Sequence, residues 1–145
     1  MLFARIITGL TGLVWAGYGA WLVYDPTQLS YMGMEFNHWS VTVEVFAMYG
    51  FVEIALGIFG LLGAFSPKHY LRGNVVLWFM IFTGLWAGRM IGLALYGGDY
   101  HLVFANGLPG SYNAGTAYLY EFPYSVLFAI AWWKLRNVSI VHPRP

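Results

Sequence analysis

Four long apolar stretches, at residues 6–23, 41–65, 73–96 and 116–133, restrict this chain more than any other feature of its sequence. Each is long enough to cross a hydrocarbon core of ~30 Å at ~1.5 Å of helical rise per residue. In lipid the backbone has to satisfy its own hydrogen bonds, so stretches of this length read as α-helices. Turn chemistry separates them: Asp25-Pro26 after the first, Ser66-Pro67 after the second and Gly97-Gly98-Asp99 after the third. The expected fold is all-α, a bundle of four transmembrane helices forming one integral membrane domain over residues 1–145.

The composition agrees with that solvent. The chain is 59% hydrophobic and only 9% charged, with a mean hydropathy of +0.61. That leaves too little polar surface to cover a soluble globule. Its 7 Trp and 11 Tyr are residue types that settle where hydrocarbon meets headgroup. With no cysteine, disulfides, thiolate nucleophiles and Cys-ligated metal sites are excluded. A net charge of +1 gives no case for a nucleic-acid partner. Arg5 followed by an apolar run would also open a secretory signal, but a run of about 18 residues is closer to a membrane span.

Orientation follows from the basic residues. Arg5 precedes the first span, Lys68 and Arg72 fall in the second connection, and Lys134, Arg136 and Arg144 follow the fourth span. The first and third connections carry none, whereas Asp25, Glu35 and Asp99 lie there. The positive-inside rule therefore puts both termini on the cytoplasmic side. The two outer connections are roughly 17 to 19 residues long, a length associated with functional or ordered loops. Tyr31, Phe36 and Trp39 in one and Tyr100, Phe104 and Tyr112 in the other suit an aromatic cap at the interface.

Close approach of helices in lipid is marked by small residues. Gly12, Ala16 and Ala20 form such a row in the first span, Gly50, Gly57, Gly60 and Ala64 in the second, and Gly84, Gly88 and Gly92 in the third. These rows predict tight packing, within one chain or between copies.

Charged groups within spans are costly, and are by default paired or functional, so Glu53, Arg89 and Glu121 stand out. Arg89 and Glu121 fall at similar depths, ~10 Å below the outer edge by helical rise, and Glu53 lies ~8 Å deeper, within reach of an arginine. A Glu–Arg–Glu cluster is the central expectation, bordered by Tyr49, Tyr120 and Tyr124. Two carboxylates against one guanidinium leave excess negative charge, and desolvation favours a proton on one of them, Glu53 being deeper. Such a cluster serves either as an ion pair fixing helix register or as a proton- or ligand-binding site. Pro123 opens two readings, a kink beside Tyr120, Glu121 and Tyr124, or a device near a helix start.

The run MYGFVEIALGIFGLLGAFSPKHYLRGNVVLWFMIFTGLWAGRMIGLALYG, residues 48–97, contains Tyr49-Gly50, a Glu53-x-x-x-Gly57 helix, a short basic turn and Gly88-Arg89-x-x-Gly92. In these features, and in Glu121 of the last span, it resembles the bacterial four-span family called domain of unknown function 4345. More distantly, Glu53 with the Gly/Leu-rich run before a basic turn is similar to DoxX-like four-helix proteins, some associated with respiratory or quinone-linked chemistry. The closer family has no settled activity, so the resemblance implies the fold and the choice of Glu53, Arg89 and Glu121 rather than a function.

The first functional expectation is a non-catalytic membrane protein, either an accessory subunit or a binder of a lipid, quinone or similar hydrophobic molecule. Membrane lipids, other membrane subunits or further copies of the chain are the implied partners, and no cofactor is implied beyond such a bound lipid or quinone. An oligomeric proton-coupled transporter titrating at Glu53 is an alternative. An enzyme using Glu53 or Glu121 as acid or base is another, without a nucleophile or nucleotide motif to support it. Residues His38, His101, Asp99, Glu35, Met32 and Met34 gather on the outer side, but no histidine pair has helical ligand spacing, so a metal is not expected.

Overall fold

The computed structural model describes residues 1–32, 34–96 and 116–136. Among the described residues every regular element is helical. Helix α1 runs Leu2–Tyr24. Helix α2, Trp39–Phe65, has three pieces: an α-helical start Trp39–Glu44, a π-helical turn Val45–Phe51 and an α-helical remainder Val52–Phe65. Helix α3 is Lys68–Tyr96. Helix α4 opens with a second π-helical turn, Ala117–Glu121, and continues as Phe122–Arg136.

The stretches Leu2–Tyr24, Trp39–Phe65 and Lys68–Leu95 are long and apolar enough to cross a membrane, which marks a membrane protein. Their outward faces agree, since Leu10, Leu13, Leu62, Met80 and Ile91 are all more than half exposed. Such side chains are stable only against lipid or another protein.

The ends of the helices have identifiable causes. Asp25 stops α1 and starts a 3-10 turn, Pro26–Met32. Its carboxylate accepts from the Thr27 hydroxyl at 2.6 Å, the Thr27 N–H at 3.2 Å and the Gln28 amide at 2.6 Å, a capping arrangement for otherwise orphaned N–H groups. The turn tucks Leu29, fully buried, against Leu22 and Val45. His38 caps α2 by accepting from the Ser40 N–H at 3.2 Å. Helix α3 begins at Lys68, earlier than the expected residue 73, because Pro67 is well placed just before a helical first turn. The link between α2 and α3 therefore shrinks to Ser66 and Pro67, and Lys68 and Arg72 ride on α3 itself.

Helices α1 and α2 pack backbone on backbone. A methyl group on Gly12 would lie 2.6 Å from the Gly57 carbonyl oxygen, and one on Gly19 would lie 2.6 Å from that of Gly50. The α1 row is thus Gly12, Ala16 and Gly19; Ala20, expected in it, is exposed. Helices α3 and α4 are joined by side chains instead. Trp78, Phe82 and Phe128 are fully buried, with Phe82 and Phe128 stacked at 5.8 Å. The Thr83 and Ser125 hydroxyls meet at 2.7 Å. Ala4 and Ile7 of α1 close this core, and Trp15 meets Trp78 edge-on at 5.0 Å. By contrast nothing lies within 4 Å of a methyl placed on Gly84, Gly88 or Gly92, so that row packs against no described part of the chain.

Arg5, Lys68, Arg72, Lys134 and Arg136 collect at one end of the molecule, away from Arg89. Arg5 donates to the Ala64 carbonyl at 2.5 Å and the Ser66 carbonyl at 3.0 Å, capping the C-terminus of α2. The Lys134 ammonium stands 5.2 Å over the Phe3 ring. Asp25, Glu35 and Glu44 mark the opposite, acidic end.

Candidate functional site

Two of the three expected charges meet. Arg89 Nε donates to Glu121 Oε1 at 2.7 Å, joining α3 to α4. The Glu121 residue is 1% exposed and the Arg89 side chain 21%. A charge-assisted bond of this length, away from water, resists competition and fixes the two helices in register. The second oxygen, Glu121 Oε2, is buried with no hydrogen-bond partner among the described residues.

Glu53 does not complete the expected trio: no bond from it to Arg89 is present among the described residues. The reason lies in helix pairing. Glu53 belongs to α2, which is locked against α1 by Gly19 and Gly50; a methyl on Gly19 would lie 3.0 Å from Glu53 Cβ. Helix α2 meets α3 near the basic end instead, where Asn74 Nδ2 donates to the Phe59 carbonyl at 2.7 Å and Trp78 faces Gly60. Glu53 Oε2 is nevertheless buried and likewise without a hydrogen-bond partner among the described residues.

Tyr120 is within electrostatic reach of both Glu53 and Glu121. Its hydroxyl accepts from Trp15 Nε1 at 3.2 Å, which ties α4 to α1 and leaves the phenolic proton to donate elsewhere. Tyr124 packs on the Tyr120 ring at 4.8 Å and on Phe82 at 5.0 Å. Tyr49 takes a different place, in the cluster around Leu22, Leu29 and Val45. There it lines a groove of about 510 Å³ with Met34, Glu35, Ser40, Val41, Glu44 and Val45.

Among the suggested metal ligands, His101 and Asp99 lie outside the described residues. The His38 Nδ1 is engaged with Ser40, and no group of three His, Cys, Asp or Glu able to hold a metal occurs among the described residues.

A feature that apolar patterning does not reveal is a π-helical turn at or near each carboxylate. The Val52 N–H reaches the Ala47 carbonyl and the Phe122 N–H the Ala117 carbonyl, each one residue further back than in an α-helix. Glu53 follows the first turn and Glu121 ends the second. Such turns are strained, and they concentrate at functional sites. Pro123 was the one legible signal: it lacks an N–H and its ring crowds the carbonyl of Leu119 in regular α geometry, and the widened turn falls there. For Val45–Phe51 no comparable breaker exists, and a phase counted at ~100° per residue does not carry across that turn. In comparisons with models of protein families, with curated proteins and with solved structures, nothing matches the chain.

Proposed function

We propose that this protein is a four-span membrane protein, with both termini in the cytoplasm of a bacterium, that binds a hydrophobic molecule carrying a hydrogen-bonding head. A lipid or quinone fits that description. The observation that carries the reading is the buried Glu53 Oε2, without a hydrogen-bond partner among the described residues, on the opposite helix pair from the equally unpartnered Glu121 Oε2. Burying such groups is costly unless something pairs with them. Tyr120 lies in electrostatic range of both, and an aromatic wall of Trp15, Phe82 and Tyr124 adjoins it. An apolar surface with a few convergent polar groups is the usual composition of a small-molecule site. The role is non-catalytic, and that of an accessory subunit; the open face along Gly84, Gly88 and Gly92 supports contact with another subunit or a second copy. Likeness to the four-span family of unknown function belongs to this proposal as support for topology only.

The test is to purify the protein in native lipid nanodiscs and identify retained lipids and quinones by mass spectrometry. A species retained by the wild type and by Arg5→Lys, and lost from Glu53→Leu, is the expected result. Retention equal in Glu53→Leu, or none in the wild type, overturns the reading. Because Glu53 carries, within a span, a buried oxygen without a hydrogen-bond partner among the described residues, proton-coupled transport by an oligomer is the second reading. Reconstituted vesicles then show a pH-gradient-driven flux abolished by Glu53→Gln, and flux indifferent to that change removes Glu53 from the role.

A further inference from the structure

A second group of buried polar atoms lies well away from the carboxylates. Thr8 Oγ1, Thr11 Oγ1, Asn74 Oδ1 and Trp78 Nε1 are all buried with no hydrogen-bond partner among the described residues. Each of these residues is at most 1% exposed. Thr8 and Thr11, three residues apart, share one side of α1; Asn74 and Trp78, four apart, share one side of α3. Glycines of α2 bring those sides together. A methyl on Gly60 would lie 2.9 Å from Gly12 Cα, the residue next to Thr11 and one turn beyond Thr8, and 3.2 Å from Trp78 Nε1. On Gly63 it would strike the Asn74 amide. The four polar atoms therefore belong to one junction of α1, α2 and α3 toward the basic end.

We propose that this junction is an internal hydration site, where buried water bridges the two threonine hydroxyls, the Asn74 carbonyl oxygen and the Trp78 indole. The chemistry selects water. An indole N–H only donates. Asn74 presents its oxygen as acceptor, because its Nδ2 is held by the Phe59 carbonyl at 2.7 Å and only an N–H can bond there. The site therefore asks for a species that donates and accepts at once, which a metal cation or a simple anion cannot do. Water meets these demands, and its range of about two to four hydrogen bonds covers the set of four partners. Hydroxyls, amide and indole in three helices then act as a polar rivet in an otherwise apolar contact.

The experiment is water-to-protein magnetisation transfer by NMR on full-length protein in lipid nanodiscs, labelled with ¹⁵N-tryptophan, with the Trp78 indole assigned by its loss in Trp78→Phe. Transfer from water to the Trp78 N–H, despite its complete burial, is the expected result, and its absence in the wild type overturns the proposal. In a folded Thr8→Val/Thr11→Val variant the transfer is expected to vanish; persistence overturns the assignment of the threonines as ligands. Should that double variant not fold, Thr11→Val alone makes the same comparison. Failure of the lipid or quinone proposal leaves this result untouched, because none of these residues contacts Glu53 or Glu121 in the reading above.

Discussion

Adding one methyl group at Gly57 separates the packing reading from a mere abundance of glycine. In Gly57→Ala the new carbon would lie 2.6 Å from the Gly12 carbonyl oxygen and 2.7 Å from Ala16 Cα, and closer still to the Ala16 nitrogen. Ordinary contact begins near 3.4 Å, so α1 and α2 must part by more than about 0.8 Å, against backbone that has no rotamer to swing away. Overpacking costs ~1–3 kcal/mol in general, and a backbone obstacle argues for the upper half, ~2–3 kcal/mol. Gly17→Ala is the matched control, since nothing lies within 4 Å of its added methyl. Separated helices stay helical in a bilayer, so the intrinsic preference for Ala contributes little, and the control is expected within ~0.5 kcal/mol of wild type. Denaturing-detergent titration followed by far-UV circular dichroism measures both. Equal stabilities for the two variants, or a Gly57→Ala value within ~0.5 kcal/mol of wild type, would refute glycine-mediated apposition of α1 and α2.

The same titration tests other contacts. Arg89→Ala leaves Glu121 buried and unpaired, and is expected to cost ~2–4 kcal/mol after allowance for partial exposure of the arginine; Glu121→Gln, whose amide oxygen still accepts from Nε, costs less. The reverse order would show that the pair does not hold α3 to α4. Arg5→Ala removes two charge-assisted bonds to the end of α2 and is expected to cost ~1–2 kcal/mol, with Arg5→Lys intermediate; an unchanged Arg5→Ala protein rejects the cap. Thr83→Val is expected to cost only ~0.6 kcal/mol, the usual scale for a hydrogen bond between membrane helices, and a value of several kcal/mol would contradict that. Hydrogen bonds from Thr27 and then Gln28 hold the Asp25 carboxyl below its ordinary range. Because the folded value is the depressed one, the turn is fully stabilised above the ordinary Asp value and loses that support only as pH falls through the folded value. The Thr27 amide chemical shift is therefore expected to titrate below the usual ~3.9, and a midpoint at or above it would exclude the cap.

Apolar length and proline placement made three of the helices legible to within a few residues, and the largest boundary difference has a local cause in Pro67 at the start of α3. Gly12, Gly50, Gly57 and Gly60 were legible as packing residues because spacing alone puts them on a shared face. The same rule treated Gly84, Gly88 and Gly92 alike, although they meet nothing in the described chain; a spacing rule cannot tell which neighbour a face receives. For the charges, depth read from helical rise correctly paired Arg89 with Glu121, since two residues at equal depth on adjacent helices need only a favourable rotation. Glu53 escaped that logic because rotation and pairing, not depth, decide its company. The π turn before it changes the rotation and the α1–α2 glycine contact sets the pairing, and neither leaves a trace in hydropathy.

These two helix pairs differ in how they are held, and that difference bears on the candidate site. The α1–α2 contact is backbone on backbone and leaves little freedom to slide, because glycine faces glycine. The α3–α4 contact runs through rings, two hydroxyls and an ion pair. Toward the basic end both pairs share one core around Trp78 and Phe82. At the edge of that core Trp15 Nε1 donates to the Tyr120 hydroxyl at 3.2 Å, a neutral hydrogen bond across the seam. Each pair brings to that seam one carboxyl oxygen without a hydrogen-bond partner among the described residues, on a helix widened by a π turn at that level. Neutral bonds between membrane helices are weak, ~0.6 kcal/mol on average, so at Tyr120 the edge-on contact of Trp15 with Phe82 carries at least as much of the join as this bond does. Binding between the two pairs, as proposed above, therefore requires them to part at the carboxylates against that aromatic contact, while the core around Trp78 holds them together below.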